Sequence, residues 1–160
     1  MKKILVLALV CLTMQSCFIG RLIQTPKMED AFSEKNNAIP KNFDKNATIL
    51  VIVKGRGSYD RYLKKAVKKN FKGNYVFIKR EELESTNYSD TSKFKYLFDY
   101  TNGRTQTTHY SNGQSASSTW KVFYLFDRSE SETYSSGKDF SNFGLALKIY
   151  WKNIELKRLN

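Results

Sequence analysis

The sequence predicts an α+β fold in which a mixed sheet of about four to six strands carries two helices on it, as a two-layer sandwich. Three observations predict it. A β-branched apolar run at residues 48–53 precedes an amphipathic helical pattern and a second apolar run at residues 75–79, the order of a β-α-β unit. Aromatic segments that alternate with polar residues around Asn-Gly pairs then indicate an antiparallel meander. A second amphipathic helix ends the chain.

The β-α-β unit is expected to begin the folded domain, at Thr48. The run TILVIV suits a strand buried on both faces, a turn is expected from Lys54 to Gly57, and Ser58 is expected to cap the helix. An apolar stripe recurs along that helix at steps of three and four residues: Tyr59, Tyr62, Leu63, Ala66, Val67 and Phe71. Because the connections are short, we expect parallel strands joined by a right-handed crossover.

The meander is expected to follow a polar loop at residues 81–92. The stretch KFKYLFDY places four aromatic residues on one face, and Asn102-Gly103 and Asn112-Gly113 each predict a hairpin turn, with the polar strand RTQTTHY between them. STWKVFYLFD is expected to be a strand with apolar residues on both faces, and ETYSSG a short edge strand. The final helix is expected from about Ser141 to Leu159.

The composition is that of a single domain, and its charge indicates an anionic partner. The 160 residues include 27 Lys and Arg against 15 Asp and Glu, a formal charge of +12. Such an excess is typical of proteins that bind nucleic acid, anionic membrane or acidic polymer. The compartment decides between these partners. Lys2 and Lys3 followed by an apolar segment at residues 4–12 and small or polar residues have the order of an export signal.

The end of that signal resembles the lipobox of bacterial lipoproteins. In Met14-Gln15-Ser16-Cys17 a small residue precedes a cysteine, as in that family, although Met14 and Gln15 stand where Leu and a small residue are usual. Lipoproteins of the Bacteroidetes, which this Lys- and Asn-rich sequence resembles in composition, show similar departures. The resemblance implies cleavage before Cys17, a lipidated Cys17 carrying acyl chains such as palmitate, and attachment to the outer membrane with the domain facing the periplasm.

This resemblance sets the expected organisation of the chain. Residues 1–16 are the signal peptide, residues 17–46 the lipidated cysteine and a flexible tether, and residues 47–160 the α+β periplasmic domain. Cleavage would discard Cys11, so no disulfide, cysteine nucleophile or cysteine metal site would remain. Loss of Lys2 and Lys3 would leave 25 basic against 15 acidic residues, a charge of +10. The charge then indicates an envelope surface and no nucleic acid.

Motifs for phosphate or nucleic acid are incomplete. VIVKGRGSYDRY would supply Gly55 and Gly57 of the dinucleotide pattern, but Asp60 stands at its third glycine. KGNYVFI departs from an RNA-binding motif at Asn74 and Tyr75. We therefore interpret the glycines as turn residues and expect no cofactor.

No catalytic or metal-binding set emerges from the side chains. His109 is the single histidine and has no activating partner in a recognisable motif, so we interpret it as an exposed strand residue and expect no metal site. The densest carboxylates are Glu81, Glu82 and Glu84, while Asp99 and Asp127 end apolar strands. Solvent exposure in loops and at strand ends explains these carboxylates. A catalytic carboxylate pair of a hydrolase remains an alternative, because the distance between two carboxylates cannot be read from the sequence.

The basic face of the first helix is the candidate binding site. Lys64, Lys65, Lys68 and Lys69 lie off the apolar stripe and could contact lipid headgroups or glycolipid phosphates. The leading hypothesis is a noncatalytic envelope lipoprotein, anchored to the membrane through lipid, that acts as a binding or assembly accessory to an envelope protein. The alternatives are an envelope hydrolase that uses carboxylates and a module that binds anionic glycolipid.

Overall fold

A computed structural model describes residues 25–160 of the chain, and its elements follow the predicted order closely. Residues 25–31 are helical and are called α1. The remaining helices are α2 (Gly57–Asn70) and α3 (Phe143–Leu159), and the strands are β1 (Ile49–Val53), β2 (Tyr75–Lys79), β3 (Tyr96–His109), β4 (Ser115–Asp127) and β5 (Glu132–Tyr134). Short 3-10 helices occupy Glu34–Asn36, Arg80–Glu84 and Thr86–Tyr88. The predicted signal peptide, Cys11 and Cys17 lie outside the described residues.

The strands form one mixed sheet in the order β2-β1-β3-β4-β5. β1 is parallel to both β2 and β3, whereas β3 to β5 pair antiparallel, so the α+β mixed sheet predicted from the sequence is confirmed. The central position of β1 explains its continuous apolar sequence, because both of its edges are paired and Ile49 to Ile52 are buried.

The helices cover one face of the sheet. Their apolar residues form the main core with every second residue of the strands; it includes Leu63, Val67, Tyr150 and Trp151 of the helices and Val51, Phe98, Tyr100 and Phe123 of the sheet. A smaller cluster lies on the opposite face, where Leu50, Ile52 and Leu97 meet Phe94 and the segment after β2. Because successive side chains of a strand point to opposite faces of the sheet, neighbouring strand residues belong to different clusters.

The tether predicted for residues 17–46 is wrong for its described part. Phe32 is fully buried, Met28, Ala38 and Ile39 are buried with it, and all four belong to the main core. Asn153 of α3 donates to the carbonyl oxygens of Glu29 and Phe32, which holds α1 against the last helix. The folded body thus includes residues 25–46, and three helices rather than two contribute to it, because a few widely spaced apolar residues suffice to fill the end of the core.

The first predicted hairpin turn is also wrong. β3 continues through Asn102 and Gly103 to His109, with a register shift against β4 between Asn102 and Thr105. A Cβ at Gly103 would lie 2.6 Å from the Cβ of Asp139, so this glycine allows close approach of another segment instead of a turn. The turn at Asn112-Gly113 is confirmed: Gly113 has a positive φ of 78° and Tyr110 pairs with Gln114 across it.

α2 begins one residue before the predicted cap. Arg56 is its N-cap residue and supplies no side-chain cap, while Ser58 lies inside the first turn. Tyr62, which was expected in the apolar stripe, is 57% exposed, because the helix buries only a narrow stripe of Leu63, Ala66 and Val67. α3 and the edge strand β5 occupy the predicted segments.

Candidate functional site

The four candidate lysines lie together on the outer surface of α2. Lys64, Lys65, Lys68 and Lys69 are all exposed, since the helix turns Leu63, Ala66 and Val67 toward the sheet. Within residues 25–160 none of the four has a carboxylate within 4.0 Å. We call these four residues the basic face; its charge is available to an external anion.

A groove of about 1060 Å³ runs beside the basic face, between α2 and α3. Lys65 and Lys69 line its α2 side and Lys148 its α3 side, and the exposed ring of Tyr62 lines it beside Gly144. Thr25, the first described residue, lines the same groove. The groove therefore joins three lysines, an aromatic ring and the first described residue of the chain.

Lys64 and Lys68 face the other side of α2. The ammonium of Lys64 lies 5.9 Å from the centroid of the Phe77 ring on the edge strand β2. The carbonyl oxygen of Lys68 accepts a hydrogen bond from Lys72 at 3.5 Å, which adds a further cation to the end of the helix. The basic face thus extends from the groove over the outer edge of the sheet.

Asp99, one of the hydrolase candidates, is engaged in ion pairs. Its carboxylate is fully buried, lies 2.9 Å from the ammonium of Lys54, and also pairs with Arg80. The backbone N–H of Tyr100 and the hydroxyl of Tyr124 donate to it at 2.6 and 3.1 Å. Burial and the nearby Asp99 charge raise the pKa of Tyr124. These partners hold the carboxylate inside the fold, which favours a structural role for Asp99.

The other candidate carboxylates are dispersed. Asp127 pairs in register with Tyr96 and lies on the helix side of the sheet, whereas Asp99 lies beside Tyr124 on the opposite side. Asp127 accepts hydrogen bonds from Ser129 and Glu130 and lies 3.6 Å from Lys95. Glu82 accepts from the N–H of Lys79 at 2.7 Å, and Glu81 and Glu84 are exposed. These positions argue against a carboxylate pair.

The remaining candidates carry no chemistry that the geometry supports. His109 is exposed at the end of β3, as predicted. In residues 25–160 no group of three or more His, Cys, Asp or Glu side chains could hold a metal ion. The same part of the chain contains no helix of the length and apolarity that crossing a membrane requires.

Sequence reasoning missed a buried cation. Lys121 is 3% exposed, on the helix side of β4, where its ammonium donates to Asn102 Oδ1 at 2.6 Å and lies 5.2 Å from the centre of the Tyr59 ring. Its position in the strand was a usable signal: Lys121 shares the inward face with Phe123 and Leu125.

Comparison with known proteins gives no relative of this chain. No family model matches it, and neither does any curated protein or solved structure. The site must therefore be interpreted from its own residues.

Proposed function

We propose that this protein is a noncatalytic envelope lipoprotein, acylated at Cys17, attached to the outer membrane and facing the periplasm, whose domain is a binding or assembly accessory. The lipobox resemblance motivates the anchor. The observation that carries the proposal is that the folded body already includes residue 25, which is α-helical. The dispersal of the candidate carboxylates, together with the ion pairs of Asp99 and Asp127, supports the noncatalytic role over the hydrolase alternative.

The position of residue 25 in the folded body places the domain close to its anchor. Eight positions separate Cys17 from Thr25. Even fully extended, they span at most about 28 Å at roughly 3.5 Å per residue. Thr25 lines the groove with Lys65 and Lys69, so an acylated Cys17 would keep that groove near the headgroups.

A second candidate function, contact with an anionic glycolipid or headgroup, follows from the same geometry. The basic face is exposed, free of ion pairs with described residues and adjacent to the groove that Thr25 lines. A lysine near an anionic surface contributes about 1 kcal/mol, so four would favour the bound state by about 4 kcal/mol, roughly a thousandfold. This candidate specifies one surface that the accessory would contact.

The anchor is tested by fatty-acid labelling in cells. Labelled palmitate should enter the wild-type protein and Cys11→Ala, and should be absent from Cys17→Ala. Label that persists in Cys17→Ala, or that is lost in Cys11→Ala, would contradict the anchor. Crosslinking in intact cells, followed by identification of the captured protein, tests the accessory role.

The headgroup contact is tested with anionic vesicles and the full chain carrying Cys17→Ala. Replacing Lys64, Lys65, Lys68 and Lys69 by Glu should abolish binding. The matched control replaces four exposed lysines elsewhere, Lys35, Lys41, Lys45 and Lys138, and should retain most of it. Equal binding by both variants would reject the basic face as the contact surface.

A further inference from the structure

The outer parts of β3 and β4 project from the sheet as a two-stranded hairpin. Beyond the register shift it comprises residues 105–119, which we call the outer hairpin. Residues 105–118 are all exposed, whereas the inner parts of both strands contribute to the core. β1 lies on the other side of β3, but its pairing with β3 ends at Phe98, and β5 pairs with β4 only from Leu125 onward. Within residues 25–160 no further strand covers either edge of the outer hairpin.

The hydrogen-bond alternation shows which backbone groups of β3 point outward. The N–H of Tyr110 donates to the carbonyl oxygen of Gln114 at 2.8 Å, so these two residues form a hydrogen-bonded pair. Hydrogen-bonded and non-hydrogen-bonded pairs alternate along an antiparallel ladder, so Thr105, Thr107 and His109 belong to non-hydrogen-bonded pairs. Their N–H and C=O groups therefore point away from β4, toward the open edge of the sheet.

Two contacts between hydroxyl groups support this assignment. Thr105 Oγ1 lies 3.0 Å from Thr119 Oγ1, and Thr107 Oγ1 lies 2.9 Å from Ser117 Oγ. Opposite side chains come closest in non-hydrogen-bonded pairs, which is where the alternation places both contacts. The edge of β3 thus presents a backbone donor and acceptor at every second residue from Thr105 onward.

The outer hairpin lacks the features that ordinarily protect an open edge. Residues 105–119 include no Lys, Arg, Asp, Glu or Pro, in a chain with a formal charge of +12. Charged residues, proline and bulges are the usual obstacles to pairing with another strand, and the register shift lies before Thr105. The net charge opposes association of two copies of this chain. An uncharged edge is the surface at which that repulsion is smallest.

The β3 edge is the more open of the two edges. Phe140 and Lys121 exchange backbone hydrogen bonds of 3.1 and 3.2 Å, so the segment around Phe140 already covers β4 close to Thr119. Between Thr105 and His109, β3 has no such neighbour in the described part of the chain. Another strand can therefore approach β3 along the whole of its outer part.

We propose that this edge pairs with the β3 edge of a second copy of the chain, in an antiparallel two-fold dimer with Thr107 on the axis. Thr107 then lies opposite Thr107 of the partner subunit, and Thr105 lies opposite His109 of the partner subunit. Each such pair can exchange two backbone hydrogen bonds, because the outward-pointing groups of both copies face each other. The edge is self-complementary, as a two-fold interface requires.

The length of the outer hairpin keeps the charged bodies of the two copies apart. Tyr100 is the last residue of β3 in the main core. The strand from Tyr100 to Thr107 spans about 24 Å at roughly 3.4 Å per residue, so the two cores lie about twice that distance apart. One Debye length is only about 8 Å at physiological salt, so the repulsion between the bodies is largely screened. The dimer depends neither on the lipid anchor nor on the basic face.

Sedimentation equilibrium in detergent measures the association, with the full chain carrying Cys11→Ala and Cys17→Ala as the parent. The parent should show a reversible monomer–dimer equilibrium. Thr107→Pro removes the outward N–H at the axis in both copies and leaves the pairing with β4 intact, so it should weaken the dimer about thirtyfold. A parent that stays monomeric at every protein concentration, or equal association of the parent and Thr107→Pro, would overturn the proposal.

Charge substitutions carry the test even if proline distorts the hairpin. Thr107→Lys places like charges opposite each other across the axis and should weaken the dimer about fivefold. Ser117→Lys is the matched control, because it adds the same charge in the same cross-strand pair but on β4, and it should leave the association nearly unchanged. The reverse order of these two effects would assign the contact to β4 and overturn the proposal.

Disulfide crosslinking in the same parent checks the register, since the introduced cysteine is then the sole thiol. Thr107→Cys should form a disulfide-linked dimer on mild oxidation, because the Cα atoms of a hydrogen-bonded pair lie about 5.5 Å apart, within disulfide range. His109→Cys alone should not, since its two copies lie about 14 Å apart along the ladder, but it should crosslink when mixed with Thr105→Cys. Equal crosslinking of Thr107→Cys and His109→Cys, each alone, would contradict the two-fold pairing.

Discussion

The hydroxyl of Tyr150 donates a hydrogen bond of 2.6 Å to the carbonyl oxygen of Ala38, 112 positions earlier in the chain. Both residues are buried, and burial strongly raises the pKa of Tyr150, so the hydroxyl remains a donor throughout the accessible pH range. This bond joins the final helix to a segment that has few apolar residues. It is one of the contacts that make residues 25–46 part of the folded body.

Removing that hydroxyl should destabilise the protein. Tyr150→Phe leaves the Ala38 carbonyl buried without its partner, which costs about 1–3 kcal/mol of unfolding free energy. Urea denaturation measures the loss. Tyr62→Phe is the matched control, because Tyr62 is 57% exposed, and it should change stability by less than about 0.5 kcal/mol. Equal effects of the two substitutions would contradict this role of the hydrogen bond.

Truncating Phe32 should have a larger effect. Its ring is fully buried against Phe123, Phe140 and Tyr150, at centroid distances between 4.8 and 5.6 Å. Phe32→Ala should cost about 3–5 kcal/mol, a large share of the stability of a domain of this size. Leu159→Ala, at a residue that is 64% exposed, is the control. A stability unchanged by Phe32→Ala would restore the tether interpretation.

Neutralising Asp99 should weaken the fold and leave two cations without their partner. Lys54 and Arg80 are 28% and 54% exposed, so water partly solvates the charges left behind, and the cost of Asp99→Asn should be about 1–3 kcal/mol. Denaturant unfolding measures it, with the exposed Glu81→Gln as the control. Under the hydrolase alternative, Asp99→Asn would instead abolish an activity while stability stayed unchanged.

Glu155 should contribute a pH-dependent part of the stability. A hydrogen bond from Arg158, and another from the backbone N–H of Lys72, hold the pKa of this carboxylate below its ordinary value of 4.5. Because the folded-state pKa is the lower one, the contribution is present above pH 4.5 and is lost as the pH falls below it. Glu155→Gln should therefore be less stable than the wild type at pH 7.

Urea unfolding of both proteins between pH 7 and pH 3 provides the check, since the difference in unfolding free energy should shrink as the carboxylate is protonated. A difference that stays constant over this range would show that the ion pair does not cause it.

Local patterns predicted most of the fold, because each element has a sequence period of its own. The alternation in β4 separates Phe123 and Leu125 from Tyr124 and Phe126, as observed, and the apolar run of β1 indicated a strand buried on both faces, as observed. Gly103 shows the limit of such reasoning. An Asn-Gly pair ordinarily turns a hairpin, but the packing of Asp139 against this glycine keeps β3 continuous, and that contact joins positions far apart in sequence.

The candidate sites were likewise predictable only in part from the sequence. Exposure of the basic face followed from the helical period. The partners of Asp99 did not, because Lys54, Arg80 and Tyr124 meet it from three different elements. The region around Lys121 was equally hidden, since it depends on how β3, β4 and the start of α2 come together in space.

The packing of α1 on α3 also sets an order of events during folding. Asn153 and Lys152 bind the segment around Glu29, and Lys157 binds Glu34, so several polar partners of the earliest described residues lie in α3. Contacts with such long sequence separation form late, since the intervening loop must close first. We expect a chain that emerges N-terminus first to leave Phe32 incompletely covered until Tyr150 of α3 has been delivered. Completion of the core around Phe32 thus depends on the arrival of α3.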